Sequence, residues 1–149
     1  MTLRYGMEIR AATAAEASGL ATLLAEAGLP VEAGTLAEQI AAMRQGPSAI
    51  LLALQWGPPS GVVAMHWYPS LLSPRPIAQV TMLLVSAEER RRGIGRMLLK
   101  AAAQAARAAG CGDLELIAAP EVPSLAAFCR ATGFTEAGPR FVRSLRKQR

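Results

Sequence analysis

A single α/β (α+β) domain, with a mixed, mostly antiparallel sheet flanked by helices, is predicted by three stretches of this 149-residue chain. In residues 94–109, Ile94, Met97, Leu98, Ala101, Ala105 and Ala108 recur at helical spacing, opposite Arg96, Lys100, Gln104 and Arg107. Two β-like runs, AILLALQW (49–56) and VVAMHWY (62–68), flank the turn residues GPPSG and read as an antiparallel hairpin. The bulky run 77–85 suits a central strand buried on both faces. Hairpins pair strands antiparallel and crossover helices pair them parallel, so one sheet carries both.

The remaining elements follow in order. Residues 7–11 alternate weakly, as a first strand. TAAE at 13–16 has capping-box spacing, so the Thr13 hydroxyl and the Glu16 carboxylate can satisfy free N–H groups at the start of a helix running to about Ala27. Gly28 and Pro30 stop that helix. A second covers 36–44, with Leu36, Ile40 and Met43 on one stripe, and Gly46-Pro47 ends it. The stretch PSLLSPRP reads as a Pro-rich connection into 77–85. After the helix capped by Gly110 come a strand at 114–118, a helix at 123–132 with Pro123 in its first turn, and a last strand at 141–145. The order is β-α-α-β-β-β-α-β-α-β.

Bulk properties exclude several function classes. The two cysteines, Cys111 and Cys129, lack metal-ligand spacing and the chain has one histidine, so no metal site is expected. Thiols without a signal peptide suggest a reducing cytoplasm, and with no long uncharged apolar run no membrane partner is expected. A net charge of +5 admits a polyanion or a phosphate-bearing small molecule. Nucleic acid is disfavoured: no recognition-helix motif is visible and the basic residues are spread, with RSLRKQR read as a solvated end.

The chemistry concentrates in VSAEERRRGIGRMLL, residues 85–99. A strand ending at Val85 and a helix starting at Ile94 place a short loop at a helix N-terminus, where unpaired N–H groups and the helix dipole suit an anion. Gly93 and Gly95 let a ligand approach the main chain, and Gly93 can take positive φ. Arg90, Arg91 and Arg92 add charge. A Rossmann loop needs a third glycine where Leu98 stands, and no Walker Gly-Lys-Ser/Thr is present.

The pattern that fits is R-x-x-G-x-G, carried by Arg90, Gly93 and Gly95. Here the sequence resembles the GNAT superfamily of acyl-CoA-dependent N-acetyltransferases. The likeness covers residues 77–134, ending in FCRATGF, similar to the family's F/L-Y-x-x-x-G-F. It implies a GNAT-like domain over 1–149, acetyl-CoA as cosubstrate, an amine acceptor, and a homodimer, which is common in the family. By motif position, the loop amides and side chains of Arg90, Arg91, Arg92, Gly93, Ile94, Gly95 and Arg96 would hold the CoA pyrophosphate. Leu83, Leu84 and Val85 would pair with the pantetheine arm, with Phe128 beside the cofactor. The implied reaction is direct attack of a primary amine, of a small molecule or a protein, on the thioester, with a strand amide near Leu83 stabilising the oxyanion.

The departures concern catalysis. Cys129 stands where the family often has the tyrosine that protonates the leaving thiolate. A thiol can serve as that acid, or Cys129 can be a small core residue beside Leu125 and Phe128. The family's strand glutamate aligns with Gln79, which cannot accept a proton usefully. His66 and Tyr68 share a strand face and could bound the acceptor pocket, and Glu115 and Glu121 are further candidate bases. Trp56, Trp67, Met65 and Met82 are expected in the core or pocket wall. The alternative to a transferase is an acyl-CoA-binding module without activity, which the missing tyrosine and glutamate would fit.

Overall fold

The N-terminal capping box forms as the spacing predicts. After strand β1 (Glu8–Ala11), the Thr13 N–H donates to Glu16 Oε1 at 3.2 Å and the Ala15 N–H donates to Thr13 Oγ1 at 3.3 Å. A short 3₁₀ turn, Ala14–Glu16, then passes into helix α1 (Ala17–Glu26), and the chain leaves the helix through Gly28 at φ +79°. Thr13→Ala should lower stability by about 1 kcal/mol, read from denaturant midpoints, because it removes the hydroxyl that accepts from the Ala15 N–H and donates to Glu16 Oε2, while the residue-13 N–H can still donate to Glu16.

The computed structural model describes residues 6–90, 92–118 and 123–146. In the first of two compact units, Met1–Ile117, helix α2 (Ala33–Arg44) follows α1 and buries Ile40. Strands β2 (Ser48–Leu54), β3 (Gly61–Ser70) and β4 (Ser73–Val85), helix α3 (Ile94–Ala108) and strand β5 (Asp113–Leu116) complete it. The five strands lie in sequence order, antiparallel from β1 to β4 and parallel between β4 and β5. The mixed, mostly antiparallel sheet is as expected.

Each sheet face has its own core. Val63, Met65, Ala78 and Val80 pack with Ile94, Leu98, Ala102 and Ala106 of α3. On the other face, Leu52 and Val62 pack with Leu20, Leu23, Leu24 and Ile40 of α1 and α2. The buried stripe of α3 is rotated from the expected one: Leu99, Ala102 and Ala106 are buried and Ala108 is exposed. Small residues dominate this helix, so its apolar pattern marks the buried side only coarsely.

Three expectations are corrected. PSLLSPRP is not a connection, because Ser70 pairs with Ser73 and only Leu71 and Leu72 turn the chain. Pro69, Pro74 and Pro76 sit where β3 and β4 run as a two-stranded ribbon beyond the pairing with β2 and β5, so their missing N–H groups cost no bond to an outer strand. Strand β4 is not buried on both faces throughout; only Ala78 and Val80 are buried, and residues 82–85 are half-buried. Trp56 is not in the core; it is 81% exposed in the β2–β3 turn.

The second unit, Ala118–Arg149, holds helix α4 (Pro123–Ala131), shorter by one residue than expected, and an irregular segment after it. The last expected strand, 141–145, does not form: Phe141, Val142 and Leu145 are exposed, with no strand paired to them among the described residues. Arg143 and Ser144 interrupt its apolar residues, and a strand without a ladder partner has no stable hydrogen bonding.

Candidate active site

The sequence between β4 and α3 folds as an uncapped helix start. A 3₁₀ turn (Ala87–Glu89) follows Ser86, Arg90 is extended, and Gly93 enters the left-handed region at φ +79° as the N-cap of α3. No side chain caps the helix, whose ladder begins with the Met97 N–H donating to the Gly93 carbonyl at 3.0 Å. The first-turn N–H groups ahead of that bond lie outside the ladder. A Cβ at Gly93 would meet no heavy atom within 4 Å, so the space in front of the main chain is open.

The side chains around this loop divide by burial. Arg90, Arg92 and Arg96 are exposed, and Arg92 is ion-paired with Glu89. Ile94 is 2% exposed and packs in the core, so only its backbone can face a ligand; Gly95 is half-buried. Arg91 lies outside the described residues.

The strand feeding this loop has an uncovered edge. Strand β5 pairs with β4 only from Ile77 to Val80, and the Ile117 N–H reaches the Val80 carbonyl at 3.3 Å. From Thr81 to Val85 no strand covers that edge among the described residues, while β3 continues to pair on the inner side through Val63–Leu83, Val62–Leu84 and Gly61–Val85. Alternate backbone N–H and C=O groups of 81–85 therefore point outward, able to pair with an extended amide chain.

A β-bulge marks where the strands part. Met65 pairs with Val80 and Ala64 with Met82, leaving Thr81 as the extra residue. The insertion flips the side-chain phase, so Ala78, Val80, Leu83 and Val85 all face α3, whereas Met82 and Leu84 face α1 and α2. Leu83, the candidate oxyanion residue, thus sits just past a distorted, uncovered ladder. The four apolar residues after Gln79 and Thr81 break period-2 alternation, which is the sequence signal of the bulge.

Gly61 is a positioning residue that sequence reading took for turn chemistry alone. A Cβ there would lie 2.9 Å from Leu98 Cδ1, 3.0 Å from the Leu84 carbonyl oxygen and 3.2 Å from Ile94 Cγ2. Its lack of a side chain lets the first turns of α3 press onto β3 and β4 beside the loop.

Ahead of the bulge the sheet carries a polar row. His66 pairs with Gln79, and Gln79 with Glu115. The Tyr68 hydroxyl and the Gln79 Nε2 donate to Glu115 Oε1 at 3.4 and 3.5 Å, and the His66 and Tyr68 rings stack at 5.5 Å. Partial burial, then the Glu115 charge and this hydrogen bond, push the Tyr68 phenol up, so it stays a donor. Of the candidate bases, the structure brings Glu115 to Tyr68 and Gln79, with His66 stacked on Tyr68; Glu121 lies outside the described residues. Met65 is buried and Trp67 and Met82 are half-buried, as core or wall residues should be.

Cys129 is buried in α4 of the second unit, with Phe128 half-buried beside it in sequence. Its carbonyl accepts from the Thr132 and Phe134 N–H groups at 3.1 and 3.0 Å, closing the helix at Gly133 (φ +97°). Burial pushes the Cys129 thiol up against a smaller opposing effect of Arg130, and burial also raises Cys111. Both thiols are free. For all three raised acids the folded state keeps a proton that the unfolded chain loses. Stability is therefore full below the ordinary thiol and phenol values and falls as pH rises past them. Urea midpoints should drop as pH rises past about 8.5 and further past about 10, the ordinary thiol and phenol values, and drop less in Tyr68→Phe.

The described residues include no group of three or more His, Cys, Asp or Glu arranged to hold a metal ion, and no helix among them is long and apolar enough to cross a membrane. The loop, the open space at Gly93, the exposed arginines and the free β4 edge fit an extended amide-bearing chain that ends in phosphates.

Known proteins share this fold. The family model described as Acetyltransferase (GNAT) family matches residues 16–134. Among solved structures, the chain is similar to a putative acetyltransferase from Agrobacterium tumefaciens str. C58, with 25% identity, TM-score 0.80, and coverage of 92% of this chain and 99% of that one. It is also similar in fold to an aminoglycoside N-acetyltransferase solved with CoA (19% identity, TM-score 0.80, 93% and 95% covered). Glucosamine-6-phosphate N-acetyltransferase from Arabidopsis thaliana shares the fold as well (13% identity, TM-score 0.79, 94% and 99% covered). No curated protein matches the chain. The family match spans most of the sequence and includes the β4–α3 loop: the chain belongs to the GNAT acetyltransferase family.

Proposed function

We propose that the protein is an N-acetyltransferase that moves an acetyl group from acetyl-CoA to a primary amine by direct attack. The observation that carries this reading is the uncapped α3 start at Gly93, reached directly from an edge of β4 that no strand covers among the described residues. Its support from relatives is the family match and a similar fold solved with CoA. That match runs across the boundary between the two compact units, which favours one transferase domain over 1–149.

In this reading the first-turn N–H groups of α3, with Arg90, Arg92 and Arg96, hold the pyrophosphate, and residues 83–85 hold the pantetheine amides. The amine nitrogen forms a bond to the thioester carbon. The oxyanion that develops is held by a β4 N–H near Leu83, a contribution worth about 3 kcal/mol for one preorganised donor. The C–S bond then breaks, the amine loses its extra proton and the CoA thiolate gains one. His66 bounds the acceptor side of the sheet.

Isothermal titration with acetyl-CoA, and turnover of an amine panel followed as free thiol, test the proposal. Binding with turnover is expected; absence of acetyl-CoA binding overturns it, and binding without turnover assigns an acyl-CoA-binding module instead. Cys129→Ala tests the thiol as proton donor. Its burial favours packing, so the expected result is a loss of about 1 kcal/mol of stability with an unchanged maximal rate. A lowered rate at unchanged KM for acetyl-CoA would assign the proton to Cys129.

A further inference from the structure

The row across β3, β4 and β5 carries more than an acceptor wall. Glu115 is exposed, and its carboxylate is held by two neutral donors, the Tyr68 hydroxyl at 3.4 Å and the Gln79 amide at 3.5 Å. Neutral donors orient a carboxylate without cancelling its charge. The ion pairs among the described residues are Arg10–Glu16, Arg92–Glu89 and Arg130–Glu136, none of which involves Glu115. The Tyr68 ring, whose hydroxyl donates to this carboxylate, stacks on the His66 ring with an interplanar angle of 29°, so aromatic surface continues from the charge along β3. A carboxylate with adjacent aromatic faces is the chemistry that holds an organic ammonium group.

Placement says which ammonium. Gln79 and Glu115 form the last row but one before β4 and β5 part, two residues ahead of the Thr81 bulge. At about 3.3 Å per residue, Gln79 lies about 13 Å along β4 from Leu83, where the thioester carbonyl is placed above. That separation is too long for Glu115 to touch the reacting nitrogen. It suits a second charge on the same molecule, with the side-chain reach of Glu115 and a short spacer sharing the distance.

We infer that Glu115, held by Gln79 and by Tyr68, whose ring stacks on His66, seats a second, non-reacting ammonium group of the acceptor, so the acceptor is a diamine or polyamine. What the seat serves rests on the transferase reading; whether it binds an ammonium group does not.

His66 is the chain's only histidine, so its ring C–H resonances report on the seat without labelling ambiguity. The test titrates the protein at about pH 8 with 1,4-diaminobutane, and separately with the neutral analogue 1,4-butanediol, while these resonances are followed. A saturable shift with the diamine and none with the diol is expected, and Glu115→Gln, at an exposed position, should weaken the diamine at least tenfold. Absence of a saturable shift, an equal shift with the diol, or undiminished affinity in Glu115→Gln overturns the seat. Diamine binding in a protein with no affinity for acetyl-CoA would overturn the transferase reading and leave the seat standing; normal acetyl-CoA binding without the His66 response would do the reverse.

Discussion

Gly93→Val should fold, lose about 1–2 kcal/mol of stability and bind CoA at least tenfold more weakly. The stability loss is conformational: Gly93 holds φ +79°, and a β-branched residue in the left-handed region crowds its own backbone. It is not a clash with the fold, since a Cβ at this position meets nothing within 4 Å. The same open space is where a phosphate would approach the α3 N–H groups, so the added side chain competes with the ligand. Tenfold weaker binding corresponds to about 1.4 kcal/mol and is readily resolved by isothermal titration. Gly93→Asn separates the two effects: asparagine tolerates the left-handed region, so stability should stay near native while CoA affinity still falls several-fold. Unchanged CoA affinity in a folded Gly93→Val protein would contradict the loop assignment.

Gly61→Val should have the larger effect on stability, about 2–3 kcal/mol, and should also weaken CoA binding. The first Cβ atom would lie 2.9 Å from Leu98 Cδ1 and 3.0 Å from the Leu84 carbonyl oxygen. Leu98 is fully buried, and the carbonyl belongs to a paired strand, so relief requires α3 to lift from the sheet. Each kcal/mol is worth about 2–4 °C in a chain of this size, so the melting temperature should fall by about 5–10 °C. Lifting the first turns of α3 also displaces the N–H groups at the loop. Gly61→Ala should show a smaller version of both changes. A Gly61→Val protein with native melting temperature would show that the α3–β3 approach is not tight.

What could be read in advance was local chemistry. The Thr13–Glu16 capping box, the turn before Gly61, the glycine stops at Gly28 and Gly110, and the Gly93 helix start each depend on residues within one turn of each other. The start of α3 at Ile94 and the three consecutive strands β2, β3 and β4 followed from such signals. Where reading failed, the deciding contact lay elsewhere. Pro69, Pro74 and Pro76 look like loop residues until the lengths of β2 and β5 show that the ribbon there has no outer partners. Residues 141–145 look like a strand, but a strand forms only where an edge accepts it.

The candidate site divides along the same line. The sequence by itself determined a glycine-led, uncapped helix start and the family to which the chain belongs, because Arg90, Gly93 and Gly95 act through spacing along one continuous backbone. Only the tertiary structure decided that no strand covers β4 beyond Val80 among the described residues, that Thr81 shifts the side-chain phase, that Gly61 admits α3, and that His66, Gln79 and Glu115 form one row. These are properties of register between strands separated by up to dozens of residues. A slip of one residue would turn each of those side chains to the opposite face of the sheet.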